Sequence, residues 1–501
     1  MKHNITIHPG AQAAFTNNAA CCVGTGRMGL ALHKEYLDQL AMAQEIAGFK
    51  HIRGHGLFCD DMAIFQPYTD AEGVTHDAYN FTYLDRVVDS YLQLGIKPFL
   101  ELGFMPKKMA SGTQTIFYWA GNTTPPADHT RWANMVKATL RHLADRYGED
   151  EVSAWPCEVW NEPNLPGFWE NADKPKYLEL YAASVRAVKE ALPAMQVGGP
   201  AICGGSGSQE WVADFLTFCR DNALPVDFVT RHAYMGMTPE RKGRYLYHEM
   251  RTVEDVYEEM SETRRIIDSF PEYRGIPLHI TEFNTSYNPL CPIHDTNLNA
   301  AYIAGVLSCF GDVAASYSYW TFGDVFEEAG VPARPFHGGF GMIANQLIAK
   351  PTLWTFAFFN NLKGECVHRD ARSVILRRPD GSYEGIVWNL CREQREALDL
   401  DINLPADGPM ALCLTQVDEE CCNPLKAWHD MGEPASLTKA QLAFLRRAGQ
   451  PLCRSQVIPC DGGQACISLQ LKENAVVHFT LAPQQFQTEY GYDYQWYIDH
   501  A

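Results

Sequence analysis

Short apolar segments alternate with amphipathic helical segments between residues 19 and 321, and this alternation limits the fold to very few classes. The strand-like segments lie near residues 19–24, 50–54, 96–101, 155–160, 195–199, 226–232, 276–282 and 314–321. Between them, apolar residues recur at helical spacing, as at Trp132, Val136 and Leu140, and Gly148 marks a helix end. Eight strands with intervening helices predict a (β/α)8 TIM barrel, although a doubly wound open sheet has the same alternation.

The hydrophobic period changes after residue 360. Leu398, Leu400 and Ile402 alternate with acidic residues, which is the pattern of a strand with one buried face. The segment Pro-Asp-Gly-Ser at 379–382 predicts a turn between two further strands. We therefore predict that this part of the chain forms an accessory all-β sandwich domain.

The predicted domain division follows from this change of pattern. An N-terminal strand within residues 1–14 precedes the barrel and is predicted to join the β-sandwich. The barrel is predicted to span residues 15–350, and the accessory β-sandwich residues 351–501. The aromatic segment 488–500 has no clear period and is left unassigned.

Charge and hydropathy exclude several classes of partner. The chain has 501 residues and a formal net charge of −19, and nucleic acids and anionic membranes repel so acidic a surface. The N-terminal residues lack the apolar core of a secretory signal, and no segment is apolar enough to cross a bilayer. The expected location is the cytoplasm.

The sixteen cysteines are expected to be reduced and buried. They are scattered through predicted core segments, and the adjacent pairs Cys21-Cys22 and Cys421-Cys422 would strain a disulfide. No C-x-x-C has partner histidines, so no metal site is predicted.

The segment GTGRMG at 24–29 has the glycine spacing of a dinucleotide-binding loop. No acidic residue ends the next predicted strand, where Arg53, Gly54 and His55 stand. We therefore interpret the segment as a tight turn, and dinucleotide binding is a minor alternative.

Two carboxylates stand where predicted strands end. Glu162 follows the fourth strand within Asn-Glu-Pro-Asn, and Glu282 ends the seventh. Barrel enzymes place their chemistry at these strand ends, and a carboxylate at the end of a core strand is costly unless it is paired or used. Either residue alone is as readily explained by a salt bridge at the barrel rim, but the joint placement, with Asn161 beside one of them, favours a function.

Facing carboxylates suit glycoside hydrolysis. One, kept protonated by its neighbour's negative charge, donates a proton to the leaving oxygen, while the other attacks the anomeric carbon or activates water. A separation of about 5–5.5 Å would predict a retaining mechanism through a covalent glycosyl-enzyme.

The chain resembles glycoside hydrolase family 39, the family of bacterial β-xylosidases and α-L-iduronidases. VWNEPNLPGFW (159–169) resembles the family's acid/base motif, and HITEFNTSYNP (279–289) its nucleophile motif. Four more segments resemble the family in the same order: GTGRMGLAL (24–32), RGHGLFCDDM (53–62), DFVTRHAY (227–234) and SYWTFGDVFEEAG (318–330). The resemblance covers the barrel, and the β region fits the family's accessory β-sandwich.

The resemblance implies roles for the residues nearest the reaction. Glu162 would be the general acid/base and Glu282 the nucleophile. Asn161 would bind the sugar 2-hydroxyl, and Tyr234 would donate to Glu282. His232 would lie beside the carboxylates, although a histidine at the barrel rim is the simpler explanation for it.

The resemblance also implies the residues that hold the sugar. His55 would reach the sugar, with Arg53 behind it as either a structural ion-pair partner or a substrate contact. Trp320 would form an apolar floor under the ring, and Glu328 would accept hydrogen bonds from outer hydroxyls, with Glu327 as its rival. Phe168 and Trp169 would wall the leaving-group side or pack the loop.

The expected activity is that of a retaining exo-acting β-D-xylosidase on short xylo-oligosaccharides or small glycosides. The strand ends carry no cluster of Lys or Arg beyond Arg53 and Arg231, which favours a neutral pentose over a uronate. An α-L-arabinoside, β-galactoside, β-glucoside or α-L-iduronide substrate, or a non-catalytic sugar-binding barrel, is the alternative. No metal or organic cofactor is implied, and the family pattern suggests a homo-oligomer, either a dimer or a tetramer.

Overall fold

Eight parallel strands close into a barrel in the computed structural model, which describes residues 2–392, 395–485, 491–493 and 495–500. Strands that are neighbours along the chain pair with each other, and the eighth pairs with the first. In chain order the strands are Cys22–Arg27, His51–His55, Lys97–Leu102, Cys157–Val159, Val197–Ile202, Phe228–Tyr234, Leu278–Asn284 and Ser316–Tyr319. The predicted barrel is confirmed, and the open sheet is excluded because a closed ring has no edge strands.

A helix follows each barrel strand. These helices are Lys34–Ile46, Thr82–Gln93, His129–Tyr147, Lys174–Ala191, Ser208–Asp221, Val253–Ser269, Asn297–Leu307 and Pro351–Asn361. The third begins at Asp128, whose carboxylate accepts from the backbone N–H groups of Thr130 and Arg131, and it ends at Gly148 as predicted. Its apolar positions Trp132 and Leu140 are fully buried, because that face of the helix packs on the barrel.

The first strand differs from the prediction. It runs over Cys22–Arg27 and so contains most of the segment that we interpreted as a tight turn, which was wrong. Gly24 permits this arrangement, since a Cβ atom there would lie 2.6 Å from the Trp320 ring. The same applies to Gly54 in the second strand, where a Cβ would meet the backbone oxygen of Gly26 at 2.8 Å. The glycines therefore serve close packing between neighbouring strands.

Two mainly antiparallel sheets are built largely from the chain after the barrel. One contains Leu398–Pro405, Gln464–Leu471 and Cys460–Asp461, and Lys2–Thr6 pairs with the first of these in parallel. The other contains Glu365–Asp370, Ser373–Arg377, Tyr383–Trp388, Val476–Pro483, Met410–Val417 and Leu452–Ile458. Side chains from both sheets share one hydrophobic core, for example Ile402 and Phe479. The predicted all-β region is confirmed.

The division at residue 350 stays a prediction. The helix Pro351–Asn361 lies directly after that point and packs on the barrel, where the Phe356 ring lies 5.6 Å from the Phe49 ring. The segment 488–500, which the sequence left unassigned, lies partly outside the described residues, and its described part includes the helix Trp496–Asp499.

Short elements complete the chain. They are the helices Glu149–Ser153, Pro424–Asp430 and Lys439–Ala448, the 3-10 turns Met28–Leu32, Asp60–Met62, Glu170–Ala172, Pro292–Asp295 and Phe310–Asp312, and the strand pairs Tyr68–Thr69 with Thr75–His76, Thr115–Ile116 with Gly121–Asn122, Gly236–Lys242 with Tyr245–Met250, and Ile343–Ala344 with Ile348–Ala349.

All sixteen cysteines are free, but Cys413, Cys453 and Cys466 are exposed, because they lie on strand faces that no other element covers. Among the described residues, no helix combines the length and the apolarity that crossing a bilayer requires.

Candidate active site

A cavity of about 410 Å³ opens at the carboxyl ends of the barrel strands, and it collects the residues that the sequence singled out. The predicted residues that line it are His55, Asn161, Glu162, Tyr234, Glu282, Trp320 and Glu328. The eighth predicted residue, His232, lies behind Glu162 and contacts it. Residues from the ends of separate strands meet here because parallel strands of a barrel all end on the same face.

Glu162 and Glu282 face each other across the cavity. Both are almost fully buried, with 6% and 4% of their surfaces exposed. One oxygen of each carboxylate and a ring nitrogen of His232 all lie within 4.8 Å of one another. Carboxylate oxygens this close leave little room for the water that inverting glycosidases hold between their two carboxyl groups, which favours a retaining mechanism.

Glu282 is surrounded by groups that stabilise its charge. Arg53 donates from Nη1 to Oε1 at 2.5 Å, Tyr234 donates its hydroxyl to Oε2 at 2.6 Å, and Nε2 of His55 lies 3.6 Å from Oε1. Burial raises the pKa of Glu282, while the Arg53 cation, His55 and the Tyr234 hydrogen bond oppose that rise. These contacts also hold the two carboxylate oxygens of Glu282 in one orientation.

Glu162 has no comparable cation. Its Oε1 lies 2.8 Å from Nδ1 of His232. Burial and then the negative charge of Glu282 raise the pKa of Glu162 well above its ordinary value, which favours its protonated form. The surroundings of Glu162 therefore favour its protonated form, which a proton donor needs. The surroundings of Glu282 contain the groups that stabilise a charged carboxylate, which a nucleophile needs.

The backbone around Glu162 is strained. Glu162 and Trp160 both have positive φ angles, 47° and 71°, which cost an L-residue about 1 kcal/mol or more each. Two contacts hold this conformation: the Glu162 N–H donates to the oxygen of Ala201 at 2.8 Å, and the Trp160 indole donates to the oxygen of Phe168 at 2.8 Å. With the backbone in this conformation, the Glu162 side chain lines the cavity.

Arg53 organises the floor of the site. It is fully buried and, besides Glu282, it donates to Glu158 at 2.8 Å and to Oδ1 of Asn161 at 2.8 Å, and it pairs with Glu101 at 2.8 Å. Because the carbonyl side of Asn161 accepts from Arg53, its amide nitrogen is directed elsewhere, and Asn161 lines the cavity. Arg53 is absent from the cavity lining, so of the two predicted roles the geometry favours the ion-pair role.

His55 and Trp320 lie together on one wall of the cavity. Their ring centroids lie 4.6 Å apart, and Nδ1 of His55 lies 2.8 Å from Oε2 of Glu101. Burial lowers the pKa of His55 to about 3, so the ring is neutral. Nε2 of His55 lies 3.8 Å from Oε1 of Glu328, which places Glu328 on the same wall.

The structure separates two pairs that the sequence left open. Glu327 accepts from Arg27 at 2.8 Å on the side of the loop, whereas Glu328 lines the cavity. Phe168 lines the cavity, whereas Trp169 is fully buried. In both pairs, only the path of the loop shows which residue faces the cavity.

His232 is a neutral group between the two carboxylates. Burial and then the Arg53 cation lower its pKa well below the ordinary value. Its Nδ1 is 3.5 Å from Oε2 of Glu282 as well as 2.8 Å from Glu162. Its Nε2 has no hydrogen-bond partner among the described residues.

Glu162, His232 and Glu282 also form the group of described residues whose ligand atoms are close enough to hold one metal ion. The oxygens of Glu282 already accept from Arg53 and Tyr234, however, so a metal ion would have to compete with a buried guanidinium for the same carboxylate. The donor set is engaged in charge-assisted hydrogen bonds that suit acid–base chemistry without a metal.

Sequence reasoning missed Glu101, Arg251 and Glu259. Glu101 is fully buried beside Arg53 and His55. It stands at the end of the third predicted strand, so the criterion that selected Glu282 would also have found it. Arg251 and Glu259 line the cavity from a hairpin and a helix far along the chain, and no local pattern marks them.

Comparisons with known proteins agree with this geometry. The family described as "Glycosyl hydrolases family 39" matches residues 4–464. The chain is 46% identical over 478 residues to the beta-xylosidase of Geobacillus stearothermophilus, covering 94% of each chain. It is 32% identical over 463 residues to the beta-xylosidase of Caldicellulosiruptor saccharolyticus, covering 89% of this chain and 91% of that one.

A solved structure has the same architecture throughout. The crystal structure of a monomeric beta-xylosidase from Caulobacter crescentus superposes with a TM-score of 0.87 at 32% identity, covering 96% of this chain and 100% of that one. The match includes the barrel and the β region together. From its sequence, its fold and the buried carboxylate pair, the chain belongs to family 39 of the glycosyl hydrolases.

Proposed function

We propose that this protein is a retaining β-D-xylosidase that releases xylose from the non-reducing end of short xylo-oligosaccharides. The observation that carries the proposal is the buried pair Glu162 and Glu282, with oxygens within 4.8 Å and opposite environments. The names of the two relatives above, both beta-xylosidases over nearly the whole chain, support the choice of sugar.

In the first step Glu282 attacks the anomeric carbon while Glu162 gives its proton to the leaving oxygen. Arg53 and Tyr234 keep Glu282 ionised and aimed, and burial beside a negative charge keeps Glu162 protonated. The bond from carbon to the leaving oxygen breaks, and an ester bond to Glu282 forms.

In the second step Glu162 acts as a base. Once Glu282 is esterified its negative charge is gone, so the repulsion that raised the pKa of Glu162 disappears and Glu162 ionises more readily. Its carboxylate then takes a proton from water, which attacks the same carbon. The ester bond to Glu282 breaks, Glu282 leaves as a carboxylate, and xylose is released with its original configuration. The change of role follows from the coupling of the two charges.

The remaining predicted residues hold the sugar. The Asn161 amide donates to the 2-hydroxyl, Trp320 lies under the ring, and His55 and Glu328 bind the outer hydroxyls. A uronate would place its carboxylate in a cavity that already holds Glu328, while Arg53 is occupied by its own partners. This balance of charge favours a neutral sugar.

The test is a comparison of nitrophenyl glycosides. We expect release from the β-D-xyloside with a kcat/KM at least 10-fold above the α-L-arabinoside, β-D-galactoside, β-D-glucoside and α-L-iduronide, since a misfitted sugar loses one or more hydrogen bonds to buried groups. Proton NMR of the xylose first released should show the β anomer. The α anomer as first product, or no release from the β-xyloside, would contradict the proposal.

We also propose a reducing compartment and a homo-oligomer, a dimer or a tetramer, as its setting. The free state of all sixteen cysteines suits the cytoplasm. Light scattering of the purified chain measures the oligomer, and the solved relative from Caulobacter crescentus, whose name calls it monomeric, is the natural reference.

A further inference from the structure

The cavity extends beyond the catalytic pair towards the ends of the fifth and sixth strands. Its lining there includes Gly204, Arg251 and Glu259. In a closed ring of eight strands these positions lie opposite the first and second strands, so they face away from His55. This part of the same cavity therefore lies across the barrel mouth from His55.

This part of the cavity adjoins the proton donor. Cys203 precedes Gly204 and lines the cavity together with Glu162, whose backbone N–H donates to the oxygen of Ala201, two residues before Cys203, at 2.8 Å. Asn164, two residues after Glu162, accepts from the N–H of Cys203 at 3.0 Å. The leaving group departs on the side of the proton donor, so this space receives it.

A fixed charged pair lies at the far end of this space. Glu259 accepts from Arg251 at Oε2 over 2.6 Å, and its other oxygen accepts from Arg231. Arg231 is fully buried and also donates to the hydroxyl of Thr263 at 2.6 Å. Glu259 is thus held in one orientation and keeps lone pairs for a further donor, and Arg251 keeps further N–H groups.

Glycine keeps the Glu259 carboxylate open to the cavity. A Cβ atom at Gly204 would lie 3.0 Å from Oε1 of Glu259 and so would crowd the carboxylate. Aromatic side chains also line the cavity: Tyr287, partly exposed, lies against Tyr234 with 6.4 Å between ring centroids, and Phe168 lies 5.4 Å from the Phe117 ring. The space therefore combines flat apolar walls with a polar end that both donates and accepts.

Only some leaving groups match this combination. A pyranose has apolar faces and a rim of hydroxyls that donate and accept, whereas a phenol would use the walls alone and a carboxylate could not donate to Glu259. We infer that Arg251 and Glu259 bind the hydroxyls of a second neutral sugar, the leaving group of an oligosaccharide, between Phe168 and Tyr287. The inference rests on the proposed function and adds the residues that recognise the leaving group.

The first test compares two substrates. Arg251→Gln leaves the Glu259–Arg231 pair intact, so no buried charge loses its partner. We expect the ratio of kcat/KM for xylobiose to kcat/KM for nitrophenyl β-D-xyloside to fall about 10-fold, as expected for one lost charge-assisted hydrogen bond. Tyr287→Ala, at a partly exposed side chain, should lower the same ratio. Glu258→Gln, next to Glu259 but paired with Arg265 at the surface, is the control and should leave the ratio unchanged.

The second test isolates the subsite from bond cleavage. A 2-deoxy-2-fluoroxylosyl fluoride traps the glycosyl-enzyme, and methyl β-D-xyloside then accelerates its turnover by acting as acceptor. We expect this acceleration in the parent chain and in Glu258→Gln, and its loss in Arg251→Gln while reactivation by water alone persists.

The outcomes separate the two claims. If the parent chain cleaves neither substrate and is not trapped, the proposed function fails. If it cleaves both, but Arg251→Gln and Tyr287→Ala leave the substrate ratio and the acceptor effect unchanged, the leaving-group subsite is wrong and the proposed function stands.

Discussion

The hydroxyl of Tyr234 donates a hydrogen bond of 2.6 Å to Oε2 of Glu282. Burial of both groups makes this contact stronger than the same pair would be in water, and it opposes the rise in the pKa of Glu282. The phenol is kept in its neutral, donating form because burial raises its own pKa well above the ordinary value. Tyr234 therefore stabilises the ionised form of Glu282, the carboxylate that attacks the sugar.

Tyr234→Phe tests that action. Loss of the hydrogen bond removes a stabiliser of the ionised carboxylate, so the pKa of Glu282 rises and the acidic limb of kcat/KM moves to higher pH. We expect a shift of about one pH unit, from the strength of a hydrogen bond to a charged group. The measurement is the pH profile on nitrophenyl β-D-xyloside, and an unmoved acidic limb would refute this role.

Glu101→Gln should move the basic limb of the same profile to lower pH. Glu101 lies against Arg53 and His55 and shares Arg53 with Glu158. Burial raises the pKa of Glu101 to about 7, so Glu101 is charged on the basic side of the profile, where its charge adds to the rise in the pKa of Glu162. A neutral amide removes that charge, so the pKa of Glu162 falls, by roughly half a unit or more. A drop in kcat without a shift of the basic limb would mean that Glu101 is only structural.

Glu162→Ala should discriminate between leaving groups. A dinitrophenolate leaves without a proton, whereas the hydroxyl of xylobiose needs one, so the loss in kcat/KM should be at least about 100-fold larger for xylobiose. The measurement is a series of aryl xylosides of graded leaving-group pKa together with xylobiose. Equal losses across the series would exclude an acid role for Glu162.

Lys350→Met should destabilise the loop that carries Glu328. Lys350 is fully buried and pairs with Asp295 at 2.6 Å and with Asp324 at 2.7 Å, and it donates to the oxygen of Gly339 at 2.9 Å. Its removal leaves two buried carboxylates without a cation, for a loss of about 3–5 kcal/mol in the free energy of unfolding. Chemical denaturation measures this, with the exposed Lys363→Met as control, and equal stability of the two variants would contradict it.

The barrel could be predicted from the sequence because each strand is a short apolar segment and each helix has an apolar stripe. Glu162 and Glu282 could be found for a related reason, since a carboxylate that ends an apolar strand is conspicuous. The first strand was misplaced because Gly24 and Gly26 weaken its strand pattern, and its pairing depends on close contact with neighbouring strands and Trp320.

The rest of the site depends on distances that no local pattern contains. Glu327 and Glu328 are adjacent and chemically identical, and only the folded structure shows that Glu327 pairs with Arg27 while Glu328 faces the cavity. Arg251 and Glu259 reach the cavity through the hairpin Gly236–Met250 and the helix after it. Such residues are recognised once the fold has brought them together.

The configuration of a glycosyl azide tests the central claim most directly, because it reports which face of the sugar each carboxylate occupies. Glu282→Gly and Glu162→Ala are each incubated with nitrophenyl β-D-xyloside and sodium azide, and the product is identified by proton NMR. Azide in the place of the Glu282 side chain should yield the α-xylosyl azide, whereas azide in the place of the Glu162 side chain should yield the β-xylosyl azide. The same anomer from both variants, the reverse assignment, or full activity of Glu282→Gly without azide would contradict the account.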